Sequence, residues 1–134
     1  MTSELDQLVG MMPFAVSCGV EMTAAAPEEV TGQMAWAEQR CTAGGILHGG
    51  ALVTLADSVG AVCAFLNLPD GASTSTIESK TNFFRGVRGG QVHATARPLH
   101  IGRTTIVVQT DLTDDDGRRV AQVTQTQAVI PTRP

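Results

Sequence analysis

The 134-residue chain has no tyrosine, one tryptophan and an aromatic content of 4%. Its core must therefore rest on Val, Leu, Ile and Ala, which a hydrophobic content of 43% can supply. Cysteine is scarce too. Cys18, Cys41 and Cys63 are odd in number, with no CxxC spacing and no Cys/His cluster. That pattern argues against a disulfide framework or a zinc site, so no metal is expected, and it fits a cytoplasmic protein. Cys63 sits in an apolar stretch and reads as a small core residue. Basic residues are outnumbered, 9 against 13, for a net charge of −4. A nucleic-acid binder needs a basic face, so nucleic acid is not an expected partner. Met1 to Gly10 carries Glu4 and Asp6 without a basic or apolar run, unlike a signal peptide. The apolar stretches look too interrupted to span a bilayer, so no membrane is expected. The length suits one domain, 1–134.

What is present is an ordered set of elements. Ser3 can cap a short helix through Met11 or Met12, which Pro13 should end. Two strands are expected at 20–23 and 30–36, with a turn over 24–29 around Pro27. A glycine-bearing loop, 40–47, leads to a helix over about 49–66. Four strand-like segments follow: 74–85, 91–100, 104–113 and 119–130. Asp115-Asp116-Gly117 marks a hairpin between the last two. The tail 131–134 reads as loose. One long helix followed by strands in meander order predicts an α+β fold, a sheet wrapped around a helix.

The chemistry concentrates at His48-Gly49-Gly50, where the loop meets the helix. A helix start offers unpaired N–H groups that can polarise a carbonyl or hold an anion. Along the helix, Leu52, Leu55, Val59, Val62 and Leu66 form an apolar stripe, with Ala56 and Cys63 beside it. Asp57 lies roughly opposite, among Gly50, Thr54, Ala61 and Ala64. A solvated helix face normally carries several charges. An acid alone among small residues is placed for close approach of another backbone or subunit, and so for function or pairing.

These residues resemble the hotdog-fold acyl-CoA thioesterases, in the branch of the phenylacetate-pathway and 4-hydroxybenzoyl-CoA thioesterases. The resemblance spans about Met12 to Val129. It is carried by His48-Gly49-Gly50, by Asp57 nine residues later, and by the strand Thr76 to Arg85. Leu99-His100-Ile101-Gly102-Arg103-Thr104-Thr105 and Leu112 to Arg118 complete it. It implies a hotdog fold, subunits that join their sheets, and an active site at the subunit interface. It also implies at least a dimer, and relatives are often tetramers. The substrate would be an acyl-CoA, aryl or medium-chain, with CoA part of the substrate and no separate cofactor. Asp57 takes the carboxylate role, as nucleophile or as general base toward water. Gly49 supplies the N–H that polarises the thioester carbonyl, next to His48 and Gly50.

Where family members often carry Asn or Gln, six residues before the histidine, this chain has Thr42, with Gln39 nearby. Thr76 falls where some relatives place a water-orienting hydroxyl, contributed across the interface. Arg85, Arg88 and Arg103 are candidates for CoA phosphates, Arg88 more simply read as a plain surface residue. Gly102 and Thr104 flank Arg103 in its turn. Phe83 and Phe84 are adjacent on one strand, so one should enter the core and the other face the helix edge or the acyl pocket. A hotdog hydratase and a noncatalytic acyl-CoA binder are the competing readings.

Overall fold

The computed structural model describes residues 3–132. Its elements are α1 (Glu4–Gly10), α2 (Pro13–Ser17), β1 (Glu21–Ala26), β2 (Glu29–Ala35), α3 (Gly49–Leu66), β3 (Ser73–Phe83), β4 (Gln91–Ile101), β5 (Thr105–Thr113) and β6 (Arg119–Ile130). The strands form one antiparallel sheet in the order β1-β2-β4-β5-β6-β3. α3 lies across it and packs chiefly on β2, β4 and β5. This is the expected α+β layout.

Local chemistry sets the boundaries. The Ser3 hydroxyl accepts from the Asp6 N–H at 3.1 Å and caps α1. Pro13 ends that helix but also opens a second, α2, at whose first turn it stands. Proline suits a helix start because its missing N–H would be unpaired there anyway. The turn between β1 and β2 shrinks to Pro27-Glu28, because Ala24, Ala25 and Ala26 pair with β2. Tertiary pairing overrides the weak strand preference of alanine. The His48 ring caps α3, its Nδ1 accepting from the Gly50 N–H at 2.8 Å. In the β5–β6 hairpin, Asp114 Oδ1 accepts from the N–H groups of Asp116 and Arg118, each at 2.9 Å. Gly117 closes that turn at φ +79°, a conformation L side chains rarely adopt.

The apolar stripe of α3 is the centre of the core. Leu52, Leu55, Ala56, Val59, Val62 and Cys63 are buried, whereas Leu66 is only half-buried. Ala64, expected on the opposite face, is buried as well. Burial pushes the Cys63 thiol up to about 11, so it stays a protonated core residue. With 18 residues at a mean hydropathy of 1.7, α3 has the length and apolarity of a membrane span. The expectation of an apolar stretch too interrupted for that is corrected; here the sheet, not lipid, meets its apolar face.

The two edges of the sheet differ. β3 pairs with β6 on one side and, among the described residues, is bare along the other, and nearly all of its residues are exposed. Its register with β6 shifts between Thr76 and Glu78, leaving Ile77 as a bulge. Thr81 and Ser79 stand opposite Val123 and Gln125, and beyond the bulge Thr76 and Thr74 stand opposite Gln127 and Val129. One extra residue has therefore switched the strand's inner set from odd to even positions. At the C-terminus, the Thr132 hydroxyl donates to the Gly71 carbonyl. The tail is tethered at that point; 133–134 lie outside the described residues.

Candidate active site

Two features of α3 face the β3 side of the molecule. The first is the helix start. The His48 N–H donates to the Arg40 carbonyl at 2.9 Å, and the Gly50 N–H is taken by His48 Nδ1. Among the described residues, nothing accepts from the Gly49 N–H. One backbone donor is thus left over at the positive end of an 18-residue helix. Phe83 lies over it; a Cβ at Gly49 would sit 3.2 Å from the ring. Because Nδ1 of His48 is an acceptor, the neutral ring carries its proton on Nε2, a donor.

The second feature is Asp57, two turns on and half-buried. Its Oδ1 accepts from Gln125 Nε2 at 3.2 Å and from the Thr76 hydroxyl at 3.4 Å. The hydroxyl belongs to the same chain, so Thr76 needs no interface to reach the acid. The Ile77 bulge turns the hydroxyl toward the helix. Two adjoining grooves border α3 here. One, about 310 Å³, is lined by Met12, Phe14, Val53, Thr54, Asp57 and Ser79, among others. The other, about 350 Å³, carries Phe14, Gln39, His48, Gly50 and Thr54. Phe14 and Thr54 are common to both. Gln39 lines the second groove, whereas Thr42 is exposed in the loop and lines neither.

The remaining candidates separate into two groups. Arg85 and Arg88 line one polar cleft of about 430 Å³ with Asp114, Asp115, Asp116 and Arg118. Arg88 also donates to the Gly44 carbonyl at 3.3 Å, which ties it to the glycine loop. Gly102, Arg103 and Thr104 form the β4–β5 turn at the other end of the sheet, where the Thr104 carbonyl accepts from the Val129 N–H. The length of β4 separates them, about 30 Å, so one chain cannot present all three arginines to one phosphate group. Neither phenylalanine enters the core: Phe83 is 52% and Phe84 56% exposed. β3 ends at Phe83 at the edge of the sheet, where Phe83 meets the start of α3 at Gly49, the helix-edge position expected of one of the pair.

Gln125 and Gln127 were not singled out from the sequence. They occupy inward positions of β6, between Val123 and Val129, and are 0% and 1% exposed. Polar residues at an apolar period-two position were the available signal. Asp115, on the far cleft, is held below the usual carboxylate range, first by its hydrogen bond to His93 and next by the Gln91 N–H. It lines the polar cleft, not the grooves beside Asp57.

Known proteins share this chain's sequence pattern and fold. The thioesterase superfamily matches residues 44–121, from the glycine loop to β6. PA1618 of Pseudomonas aeruginosa, named an esterase, is 34% identical over 133 residues, covering 97% of this chain and 92% of its own. A crystal structure of a PA1618 mutant, named a thioesterase, superposes with a TM-score of 0.90 over 98% of this chain and 96% of that one. The 1,4-dihydroxy-2-naphthoyl-CoA hydrolase of Escherichia coli is 35% identical over 86 residues, 64% of this chain and 63% of its own. Thioesterase HI1161 of Haemophilus influenzae, at 26% identity, superposes with a TM-score of 0.91 over 100% of this chain and 95% of that one. Its helix-wrapping sheet is the hotdog fold, and the chain belongs to the thioesterase superfamily.

Proposed function

We propose that the chain hydrolyses an acyl-CoA, with an aryl or medium-chain acyl group, at a site shared between two copies. One observation carries this reading: an unpaired helix-start N–H at Gly49 and a groove-lining carboxylate at Asp57, both on the side of α3 next to an uncovered strand. Thioester hydrolysis builds negative charge on the carbonyl oxygen. A fixed N–H at a helix N-terminus stabilises it as it develops. The carboxylate then either attacks the carbonyl carbon, giving an acyl-aspartyl anhydride and CoA thiolate, or takes a proton from the attacking water.

The two groups cannot act together within one chain. Gly49 and Asp57 are eight residues apart on a straight helix, roughly 12 Å along its axis. A reacting carbonyl needs both within about 3 Å. A second copy related by a twofold axis near Val53 would bring its Gly49 to this Asp57. β3 is the surface for it: 11 residues long and bare on one edge, it is a template for another strand. Phe83 lies at Gly49 and Thr76 at Asp57, so the same axis passes near Ser79. Pairing about Ser79 sets Glu78 opposite Lys80 of the second copy, a favourable cross-strand charge pair.

Arg85, Arg88 and Arg103 are the proposed CoA-phosphate contacts, Arg103 from the other copy. His48 Nε2 is a donor available beside the carbonyl, and Gln39 takes the place expected of Thr42.

The test is hydrolysis of benzoyl-, phenylacetyl-, hexanoyl- and palmitoyl-CoA, read by thiol release, with wild type beside Asp57→Ala. Turnover that falls at least ~10²-fold in the variant supports the proposal. Equal turnover in both proteins, or none on any ester, contradicts it.

A further inference from the structure

A glutamine with no surface exposure sits beneath the candidate carboxylate, and its geometry is not that of a filler. Gln125 is 0% exposed on β6. Burying a carboxamide is unfavourable unless its groups are hydrogen-bonded. Only half of this one is satisfied. Nε2 donates to Asp57 Oδ1 at 3.2 Å, while Oε1, among the described residues, is buried without a partner. The nearby Thr110 hydroxyl is buried without one as well. The side chain fits because residue 60 is glycine; a Cβ there would stand 2.1 Å from Oε1 and 3.2 Å from Thr110 Oγ1. A leucine or methionine at 125 would fill the space without a stranded oxygen. Stability alone therefore does not account for the glutamine.

From Gln127 through Thr76 to Asp57 the network has one direction. The Thr74 hydroxyl has two acceptors in reach, the Ala128 carbonyl at 2.8 Å and Gln127 Oε1 at 3.1 Å. Gln127 Nε2 donates to Thr76 Oγ1 at 2.7 Å. The Thr76 oxygen is thereby used as an acceptor, and its proton is directed to Asp57 Oδ1. Two donors from two strands, β6 and β3, converge on one carboxylate oxygen. Among the described residues, Oδ2 accepts nothing.

We propose that Gln125 is a positioning residue for Asp57: its carboxamide pins Oδ1 and leaves Oδ2 as the oxygen that meets the thioester or its water. The role rests on the hydrolase reading above. Gln125 itself touches no substrate.

Gln125→Met removes the donor at similar volume, and Gln125→Leu serves if methionine repacks. Either variant, as the intact oligomer, should lose about 10- to 100-fold in kcat with KM within about twofold, the size of one hydrogen bond to a charged group. Its Tm should hold or rise, since the stranded oxygen is gone. Unchanged kcat, or kcat falling only together with Tm, overturns the proposal. A second readout needs no turnover. In an Asp57→Ala background the Gln125 amide has lost its acceptor, so Gln125→Met should raise Tm more there than in wild type. Additive Tm shifts would show no contact and overturn the proposal too. Wild type inert toward every thioester would defeat the hydrolase reading alone, and the Tm cycle would still decide the Gln125–Asp57 contact.

Discussion

The two sides of α3 are built on opposite terms. Toward β2, β4 and β5 the helix presents Leu52, Leu55 and Val59, all buried against apolar strand residues. Toward β6 and β3 it presents Asp57 and a path of amides and hydroxyls: Gln125, Gln127, Thr76 and Thr74. The first contact is made by aliphatic side chains. The second, with Thr110 of β5 at its border, leaves buried oxygens stranded at Gln125 and Thr110 and a helix-start N–H free at Gly49, among the described residues. The first side holds the fold, and the second holds the arrangement proposed to react, which packing alone would not select.

Substitutions on the two sides should separate stability from activity. The largest effect is expected at Asp57→Asn, a loss of about 10²–10⁴ in kcat, as for removal of an acid–base or nucleophilic group, with Tm little changed. Leu55→Ala should do the reverse. It should cost about 2–5 kcal/mol of stability by cavity formation, read by denaturant unfolding, with kcat of the folded fraction retained. If Leu55→Ala depresses kcat as far as Asp57→Asn does, the division fails. Gly49→Pro tests the helix start. Proline suits this first helical position, and His48 before it is already extended at φ −62°, ψ 136°. The substitution deletes the N–H and should lower kcat about 10²–10³-fold. Gly49→Ala keeps the N–H and should be far milder, because the exposed Phe83 ring can shift from the new Cβ.

Gly60→Ala lies on the boundary between the sides. Its Cβ overlaps Gln125 Oε1, so it should cost about 1–3 kcal/mol and lower kcat with it. The smallest effect belongs to the distant hairpin. The Arg118 backbone N–H, followed by that of Asp116, holds the Asp114 carboxyl below the usual range. A lowered folded value contributes stability above the ordinary carboxylate range and loses it as pH falls through the lowered value. The Tm deficit of Asp114→Ala should therefore be present at neutral pH and vanish in strong acid.

The same contrast explains what could be read from the chain. The core side was legible: α3 runs Gly49–Leu66 and β6 Arg119–Ile130 as expected, because capping and apolar period are local signals. Asp57 and Gly49 were legible as an acid without charged neighbours and a glycine at a helix start. The polar network was not. Thr76 reaches Asp57 only through the Ile77 bulge, and a one-residue insertion inverts a strand's faces without changing its composition. Gln125 was hidden for a related reason: β6 carries Thr124 and Thr126 beside it, so a polar inward residue blends into a polar strand. Pro13 was read as a stop when it is also a start. Of the paired phenylalanines, Phe83 meets the helix edge at Gly49, but neither enters the core, because β3 ends there at the sheet's edge.

The central claim is that Gly49 of one copy serves Asp57 of another. Mixing Asp57→Asn with Gly49→Pro after dissociation and reassembly tests it directly. Mixed dimers would hold one intact site and one doubly broken site. Random pairing predicts recovery of about a quarter of wild-type thioesterase activity from two inactive proteins. No recovery, with mixed dimers demonstrably formed, would contradict the shared site.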